Sequence, residues 1–228
     1  MSRNNAGLTE DRIITEALRI IDGQGLRRLT MRRLGDALEV EAMAIYHHFP
    51  LGKEQLFDAI VAYVSDVARW APNGDGDADT DADGVADEAE QAAPEPDPRP
   101  WDERLRTWAA DYRRALLTHA QALPLFIHRR PETEAALRSL EVLYGAFTEA
   151  GLEGAEVVRA AAALDSYVTG SVVREVRANG LPVQRPAVLD GRFPHVTALR
   201  EVQPDAEAVF TAGLEALLHA LTASARTV

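Results

Sequence analysis

The chain has 228 residues, no cysteine and a formal net charge of −12, from 24 basic and 36 acidic side chains. The absence of cysteine excludes disulfide scaffolds, thiolate metal sites and cysteine nucleophiles. No apolar run approaches the roughly 20 residues of a membrane span, and the first residues lack the apolar core of a signal peptide, so we expect a cytoplasmic protein. At face value the negative charge also argues against nucleic acid, because phosphates repel it.

Most of that charge lies in one segment. Residues 71–100 carry ten carboxylates and a single arginine, whereas residues 1–70 and 101–228 are each close to neutral. The segment is rich in Gly, Asp, Ala and Pro and contains no Leu, Ile, Phe or Tyr. Because it cannot bury enough apolar surface to offset chain entropy, we predict an acidic disordered linker over residues 72–100, between two folded parts.

Four helices are predicted before the linker from capping residues, apolar periodicity and helix breakers. Their predicted bounds are Thr9 to Gly25, Thr30 to Leu38, Glu41 to His47 and Lys53 to Trp70. Two short helices separated by three or four residues and braced by a longer one form a helix-turn-helix. The second short helix of such a unit can lie in the major groove of DNA. A small helical bundle that does not bind DNA is the alternative that the spacing alone leaves open.

Residues 9–70 resemble the TetR family of transcriptional repressors, above all in the runs Leu29–Val40 and Ile45–Leu56. The most specific portion is the pattern Ile-Tyr-x-His-Phe-x-x-x-Lys-x-x-Leu that ends at Leu56. The resemblance implies an all-α protein whose residues 1–52 form a three-helix DNA-binding domain and whose residues 53–71 form a connecting helix.

The same resemblance implies a set of DNA contacts, which are Arg32, Ala42, Met43, Ala44, Tyr46, His47 and Lys53. In that family the positions of Tyr46, His47 and Lys53 touch phosphates, and a cation or a phenol suits a phosphate oxygen. Small or apolar side chains such as Ala and Met suit thymine methyl groups, and Arg32 can read guanine. Each of these residues could instead be an ordinary surface or half-buried side chain, and only their combined register favours DNA binding.

Two positions depart from the family pattern. The tight-turn residue, commonly Gly in the family, is Glu39, and a left-handed conformation there costs about 1 kcal/mol for a residue with a side chain. It also places a carboxylate near DNA. The join between the third and fourth helices, Phe49 to Lys53, is one residue longer than usual, which puts the contact of Lys53 with phosphate in question.

Within the linker, Asp79–Glu90 matches the calcium-loop pattern D-x-D-x-D-G-x5-E. An Asp at every second position makes such a match frequent by chance, and Pro72, Pro94 and Pro96 disfavour the two flanking helices. We therefore predict a solvated spacer and no metal site. A calcium-responsive regulator remains the alternative.

The part after the linker predicts further helices from the same periodicity. Their bounds are Trp101 to Leu117, Leu123 to Ile127, Glu132 to Ala150, Glu153 to Ala178 and Asp205 to Ala223. Residues 101–178 resemble, more weakly, the C-terminal domain of the tetracycline repressor branch, which implies that residues 101–228 form a ligand-binding and dimerisation domain.

The alignment with that branch implies ligand-binding positions at Arg69, Trp108, Tyr112, Phe126, Arg129, Arg130, Pro131, Val142 and Arg174. Phe126 stands where the branch has a metal-binding His, and Arg174 where it has a metal-associated Glu, so the chelating groups are missing and we expect no metal and no cofactor. An aromatic cavity with arginines would suit a flat apolar molecule with an anionic or carbonyl edge. Ordinary core packing is the alternative for every one of these residues.

Small residues in the long fourth helix of this part and a leucine-rich stripe in the last helix suggest a dimer interface. The residues are Ala163, Gly170, Phe210, Leu214, Leu217, Leu218 and Leu221. Packing of the same faces within one chain is the alternative. We predict a homodimeric repressor that binds a palindromic operator and responds to a small-molecule inducer. No catalytic motif is recognisable, although an all-α enzyme with unrecognised carboxylate chemistry stays possible.

Overall fold

The computed structural model describes residues 7–67, 97–129, 133–180 and 191–223, and every regular element in these ranges is helical. The α-helices are α1 (Glu10–Gln24), α2 (Met31–Leu38), α3 (Ala42–His48), α4 (Lys53–Ser65), α5 (Trp101–Thr118), α6 (Leu123–His128), α7 (Glu134–Glu149), α8 (Ala155–Gly180), α9 (Pro194–Ala198) and α10 (Ala206–Thr222). Short 3-10 turns, Leu26–Arg28 and Ala120–Ala122, follow α1 and α5. The predicted all-α fold is confirmed. Within the described ranges, no helix combines the length and apolarity needed to cross a bilayer.

The first four helices enclose a small apolar core. The hydroxyl of Thr9 accepts the N–H of Arg12 at 3.2 Å and starts α1, as predicted, and Gly25 ends it with a φ of +86°. The buried side of α1 consists of Ile13, Ile14, Ala17, Leu18, Ile20 and Ile21. These side chains pack in one core with fully buried residues of the following helices, namely Leu34, Ile45, Phe49, Leu56 and Ile60. α1 is therefore the brace against which α2, α3 and α4 are held.

The connecting helix is shorter than the sequence predicts. α4 ends at Ser65, and Asp66 follows it with non-helical dihedral angles, whereas the prediction extended to Trp70, which lies outside the described residues. The predicted linker is described only from Asp97 onward. There Arg99 donates to the carboxylate of Asp97 at 2.6 Å and to the hydroxyl of Thr107 at 2.9 Å. Residues 97–100, predicted as part of the linker, thus lie against α5.

α5 is the centre of the C-terminal body and packs against α7 and α8, while α10 lies along α8. Arg113 of α5 joins these helices, because its guanidinium lies 2.9 Å from a carboxylate oxygen of Glu175 on α8 and 2.6 Å from one of Glu207 on α10. Arg106 adds a bidentate pair with Glu215 of α10, at 2.6 and 3.0 Å. α9 was not predicted, since its five residues are too few to show a helical period.

Candidate nucleic-acid interface

α2 and α3 form the helix-turn-helix that the sequence predicts. The hydroxyl of Thr30 accepts the N–H of Arg33 at 3.1 Å and caps α2. Three residues, 39–41, then separate α2 from α3. Gly35 allows the two helices to approach closely, because a Cβ at this position would lie 3.0 Å from the carbonyl oxygen of Val40 and 3.2 Å from the nitrogen of Ala42. Sequence reasoning missed this residue, although a glycine inside an otherwise amphipathic helix is a recognised sign of close packing.

Glu39 turns the chain between the two helices. Its backbone is left-handed, with φ 58° and ψ 30°, and among the described residues it is the one non-glycine with a positive φ. The turn is closed by the N–H of Val40, which donates to the carbonyl of Gly35 at 2.9 Å. The strained conformation that the sequence raised for Glu39 is thus present, and its exposed side chain places a carboxylate on the same turn.

Replacing Glu39 by Gly should raise the free energy of unfolding by up to about 1 kcal/mol, because Gly adopts this backbone without steric cost. Glu39→Ala is the matched control, since it removes the carboxylate but keeps the Cβ that clashes. Urea unfolding should therefore rank Glu39→Gly above Glu39→Ala. Equal stability of the two variants would show that the turn carries no conformational strain.

One face of α3 is open to solvent and contains most of the predicted contact residues. Met43 is 66% exposed and Tyr46 40%, and His47 is exposed beside them. Positions i, i+3 and i+4 share one side of a helix, so these three side chains form a continuous surface. Arg32 is exposed on α2, and Ala42 is half-buried at the start of α3.

Ala44 does not join this face. Its side chain is 6% exposed and packs in the core together with the fully buried Ile45. Consecutive helical residues point about 100° apart, so Ala44 follows Met43 around the helix and faces inward. The prediction that Ala44 faces bases is therefore wrong for this structure.

The join between α3 and α4 sets Gly52, the residue before Lys53, against Tyr46. The N–H of Gly52 donates to the carbonyl of Phe49 at 2.7 Å, which closes the longer turn. Gly52 has a φ of +70°, and a Cβ there would lie 3.2 Å from Cε1 of Tyr46, so the backbone passes close to the ring. Lys53 begins α4 with its Nζ 5.0 Å from the centroid of the Phe57 ring. Lys53 therefore starts α4 one residue after the backbone that contacts Tyr46 of the exposed face of α3.

Arg129 was predicted in a ligand pocket, but its guanidinium is bound to α4. It forms an ion pair with the carboxylate of Glu54, donates to Asp58 at 2.7 Å and to the carbonyl of Glu54 at 3.0 Å, and lies over the ring of Phe57. Burial alone would lower the pKa of Arg129, but the bonds to Asp58 and Glu54 outweigh it and raise the pKa above its ordinary value. The residue joins the C-terminal body to the helix that begins at Lys53.

The other predicted ligand residues are spread over core and surface. Trp108 and Tyr112 are buried side by side on α5, with ring centroids 5.1 Å apart, and the indole N–H of Trp108 donates to Ser139 of α7 at 2.9 Å. Phe126 is half-buried on α6, whereas Val142 is 44% exposed on α7. Among the predicted ligand residues that the structure describes, Trp108 and Tyr112 are in ring contact, in a packed environment.

Arg174 lies apart from that pair. It is exposed on α8 and lines a cleft of about 880 Å³ between α8 and the start of α10, which is also lined by Tyr167 and Phe210. Three further predicted positions, Arg69, Arg130 and Pro131, lie outside the described residues, as does the calcium-loop pattern at 79–90.

The apolar stripe on α10 packs largely against residues of the same chain. Phe210, Leu214 and Leu218, predicted to contact a second copy, are each at most 4% exposed in this single chain. Tyr167 of α8 holds this packing, because its hydroxyl donates to the carbonyl of Phe210 at 2.7 Å. Intrachain packing, the alternative for this face, accounts for these three residues. The predicted residues that retain accessible surface are Ala163, Gly170, Leu217 and Leu221.

Both parts of the chain match known families. Residues 13–60 match the model of bacterial regulatory proteins of the tetR family, and residues 93–224 match the tetracyclin repressor-like C-terminal domain. An HTH-type transcriptional regulator of Saccharopolyspora erythraea is 30% identical over 174 residues, which is 76% of this chain and 64% of that protein, slightly under two thirds of its length.

Two further proteins are similar over nearly the whole chain. The class D tetracycline repressor protein of Escherichia coli is 27% identical over 219 residues, covering 94% of this chain and 89% of that one. The crystal structure of Streptomyces coelicolor ActR in complex with (S)-DNPA superposes with a TM-score of 0.69 at 25% identity, over 96% of this chain and 100% of that one. The chain belongs to the TetR family of transcriptional regulators.

Proposed function

We propose that this regulator is a homodimeric repressor that binds a palindromic operator through α3 and is released by a small molecule in residues 101–228. The observation that carries the DNA-binding proposal is the exposed face of Met43, Tyr46 and His47 with Lys53 at its edge. A two-fold dimer would present two such faces to two half-sites. Residues 1–52 are the proposed DNA-binding domain, residues 53–71 the connecting helix, and the protein acts in the cytoplasm.

The charge distribution predicts how this interface recognises DNA. Among the described residues, the proposed contact set contains two permanent cations, Arg32 and Lys53, and Glu39 adds a carboxylate to the turn before α3. Non-specific affinity grows with the number of phosphates neutralised, so it should be weak for this protein. Specific binding then depends on the placed contacts of α3, and it should fall as the salt concentration rises with a slope set by the small number of phosphates that are neutralised.

For a ligand to release DNA, its binding to the C-terminal body must change the position of α3. The contacts of Arg129 with Glu54 and Asp58 supply a route, because they tie the end of α6 to the first turns of α4, directly after Lys53. A ligand that binds better when α6 is displaced would draw α4 with it and change the spacing of the two recognition helices.

The proposed ligand is a flat aromatic molecule. Trp108 and Tyr112 are buried on α5 and Phe126 is half-buried on α6, so a ligand would enter by separating these rings. Phe126 has no lone pair for a chelated metal, so recognition would run through stacking. The similar tetracycline repressor is named after a small molecule, and the similar ActR structure is a complex with (S)-DNPA. Both support a ligand in this domain. Arg129 is no part of this pocket, since its donors are bound to α4.

A selection experiment tests the proposal. The full chain is incubated with randomised duplexes of about 30 base pairs, long enough for two half-sites, and bound DNA is amplified through several rounds. We expect an enriched inverted repeat that binds two chains and whose complex dissociates as salt is raised. Failure to enrich any sequence would contradict the repressor proposal. Thermal-shift screening of aromatic compounds against the chain would then identify ligands, which should also dissociate the enriched duplex.

A further inference from the structure

A hydrogen bond joins α1 of the N-terminal helices to the end of α5 in the C-terminal body. Nδ1 of His119, the residue that ends α5, lies 2.7 Å from Oδ2 of Asp22 on α1, 97 positions earlier in the chain. A carboxylate can only accept, so the proton lies on Nδ1 of the imidazole. The His119 side chain is 11% exposed and that of Asp22 30%, which removes much of the competition from water.

The backbone around His119 holds its ring in place. Its N–H donates to the carbonyl of Ala115 at 3.1 Å, and its carbonyl accepts the N–H of Ala122 at 2.8 Å, within the 3-10 turn that follows α5. Asp22 is just as firmly set, because it follows the fully buried Ile21 on the helix that braces α2 and α3. The hydrogen bond therefore connects two rigid supports, one in each domain.

A second electrostatic contact between the domains involves Arg129, ten residues after His119. Arg129 binds Glu54 and Asp58 on α4, so residues 119–129 contact α1 at one end and α4 at the other. Both contacts are with helices that carry α3. Two directional polar contacts thus supplement the apolar packing of α4 against α5, α6 and α7 in holding the recognition helix relative to the C-terminal body.

We propose that Asp22 and His119 are positioning residues for operator binding, whose hydrogen bond sets the orientation of α3 relative to the dimerising body. This inference rests on the proposed function. Neither side chain touches DNA, and both act through α1. The consequence is specific: losing the hydrogen bond should weaken binding to two correctly spaced half-sites and leave binding to a single half-site unchanged.

The test compares Asp22→Ala, His119→Ala, the double variant and His119→Asn, using the duplex that wild-type protein enriches and a duplex in which one half-site is scrambled. Each Ala variant should lose on the order of a hundredfold in affinity for the intact duplex, because the proposed dimer loses one half-buried charged hydrogen bond in each protomer. The double variant should lose no more than either single one, because both remove the same bond. His119→Asn places an amide N–H near the position of Nδ1 and should restore most of the affinity.

Arg19→Ala is the matched control. It breaks an ion pair with Glu16 on the same helix that does not cross between domains, and it should leave both affinities unchanged. Equal binding of wild type and the Asp22 and His119 variants to the intact duplex would overturn the proposal. A parallel loss on the single half-site would overturn it too, because it would indicate damage to the DNA-binding domain itself. If wild-type protein enriches no duplex, the proposed function fails first and this inference with it.

Discussion

Lys53→Ala should reduce affinity for the selected operator by about a hundredfold or more, because a dimer loses two charge-assisted phosphate contacts at once. The slope of log affinity against log salt should also fall by about two, one for each lysine removed. Tyr46→Phe should produce a smaller loss, since it removes the phenolic O–H but keeps the ring that packs against Gly52. Fluorescence anisotropy over a range of salt concentrations measures both quantities.

Two controls define this prediction. Lys53→Arg keeps the cation and should retain most of the affinity, whereas Arg138→Ala removes an exposed cation of α7 that pairs with Glu134 and should change nothing. Lys53 is the one lysine in the sequence, so operator DNA should also protect this ε-amine from acylating reagents. An unchanged affinity and salt slope in Lys53→Ala, with the dimer intact, would remove Lys53 from the interface.

Gly35→Val should lower the free energy of unfolding by about 2–4 kcal/mol and abolish operator binding. A Cβ at Gly35 already lies 3.0 Å from a backbone oxygen, and the two methyl groups of Val would force α2 and the turn of Val40 apart. Backbone cannot rotate away as a side chain can, so the helix-turn-helix itself must deform. Chemical denaturation and the selected operator duplex measure the two effects.

Gly23→Val is the control for this substitution. Gly23 lies in the last turn of α1, in the same domain, and a Cβ there meets no atom within 4 Å. Val and Gly differ little in helix propensity in comparison with the expected clash, so Gly23→Val should keep stability within about 1 kcal/mol and retain binding. If Gly35→Val were as stable as Gly23→Val, the close contact between α2 and α3 would not constrain the domain.

Much of the DNA-binding domain could be predicted because its signals are local. Thr9 and Thr30 each cap a helix through one side chain and the backbone three residues later. The left-handed conformation of Glu39 follows from the shape of a three-residue turn. The spacing between Tyr46 and Lys53 likewise follows from the local motif Ile45–Leu56. These features depend on the chain within a few residues, which is the range over which sequence rules operate.

The sequence leaves a role open where the partner of a side chain decides it. The motif register gives Met43 and Ala44 the same role, but the inward turn of Ala44 depends on the packing of α3 against the core. Arg129 could bind a ligand or a carboxylate, and the two acids that hold it lie more than 70 positions away. The apolar stripe of α10 identifies a buried face without saying whether α8 of the same chain or of another covers it.

The two attachments of residues 119–129 limit the motion of the DNA-binding domain. They are not the whole joint, because α4 also packs against α5, α6 and α7 and one apolar core runs through both domains. Packed helices can slide over one another by small amounts, whereas hydrogen bonds and ion pairs are directional. The Asp22–His119 bond and the contacts of Arg129 therefore select one register among the neighbouring ones that the apolar packing tolerates. Breaking either attachment should leave the domains joined but let α3 settle in several neighbouring orientations, of which few fit DNA.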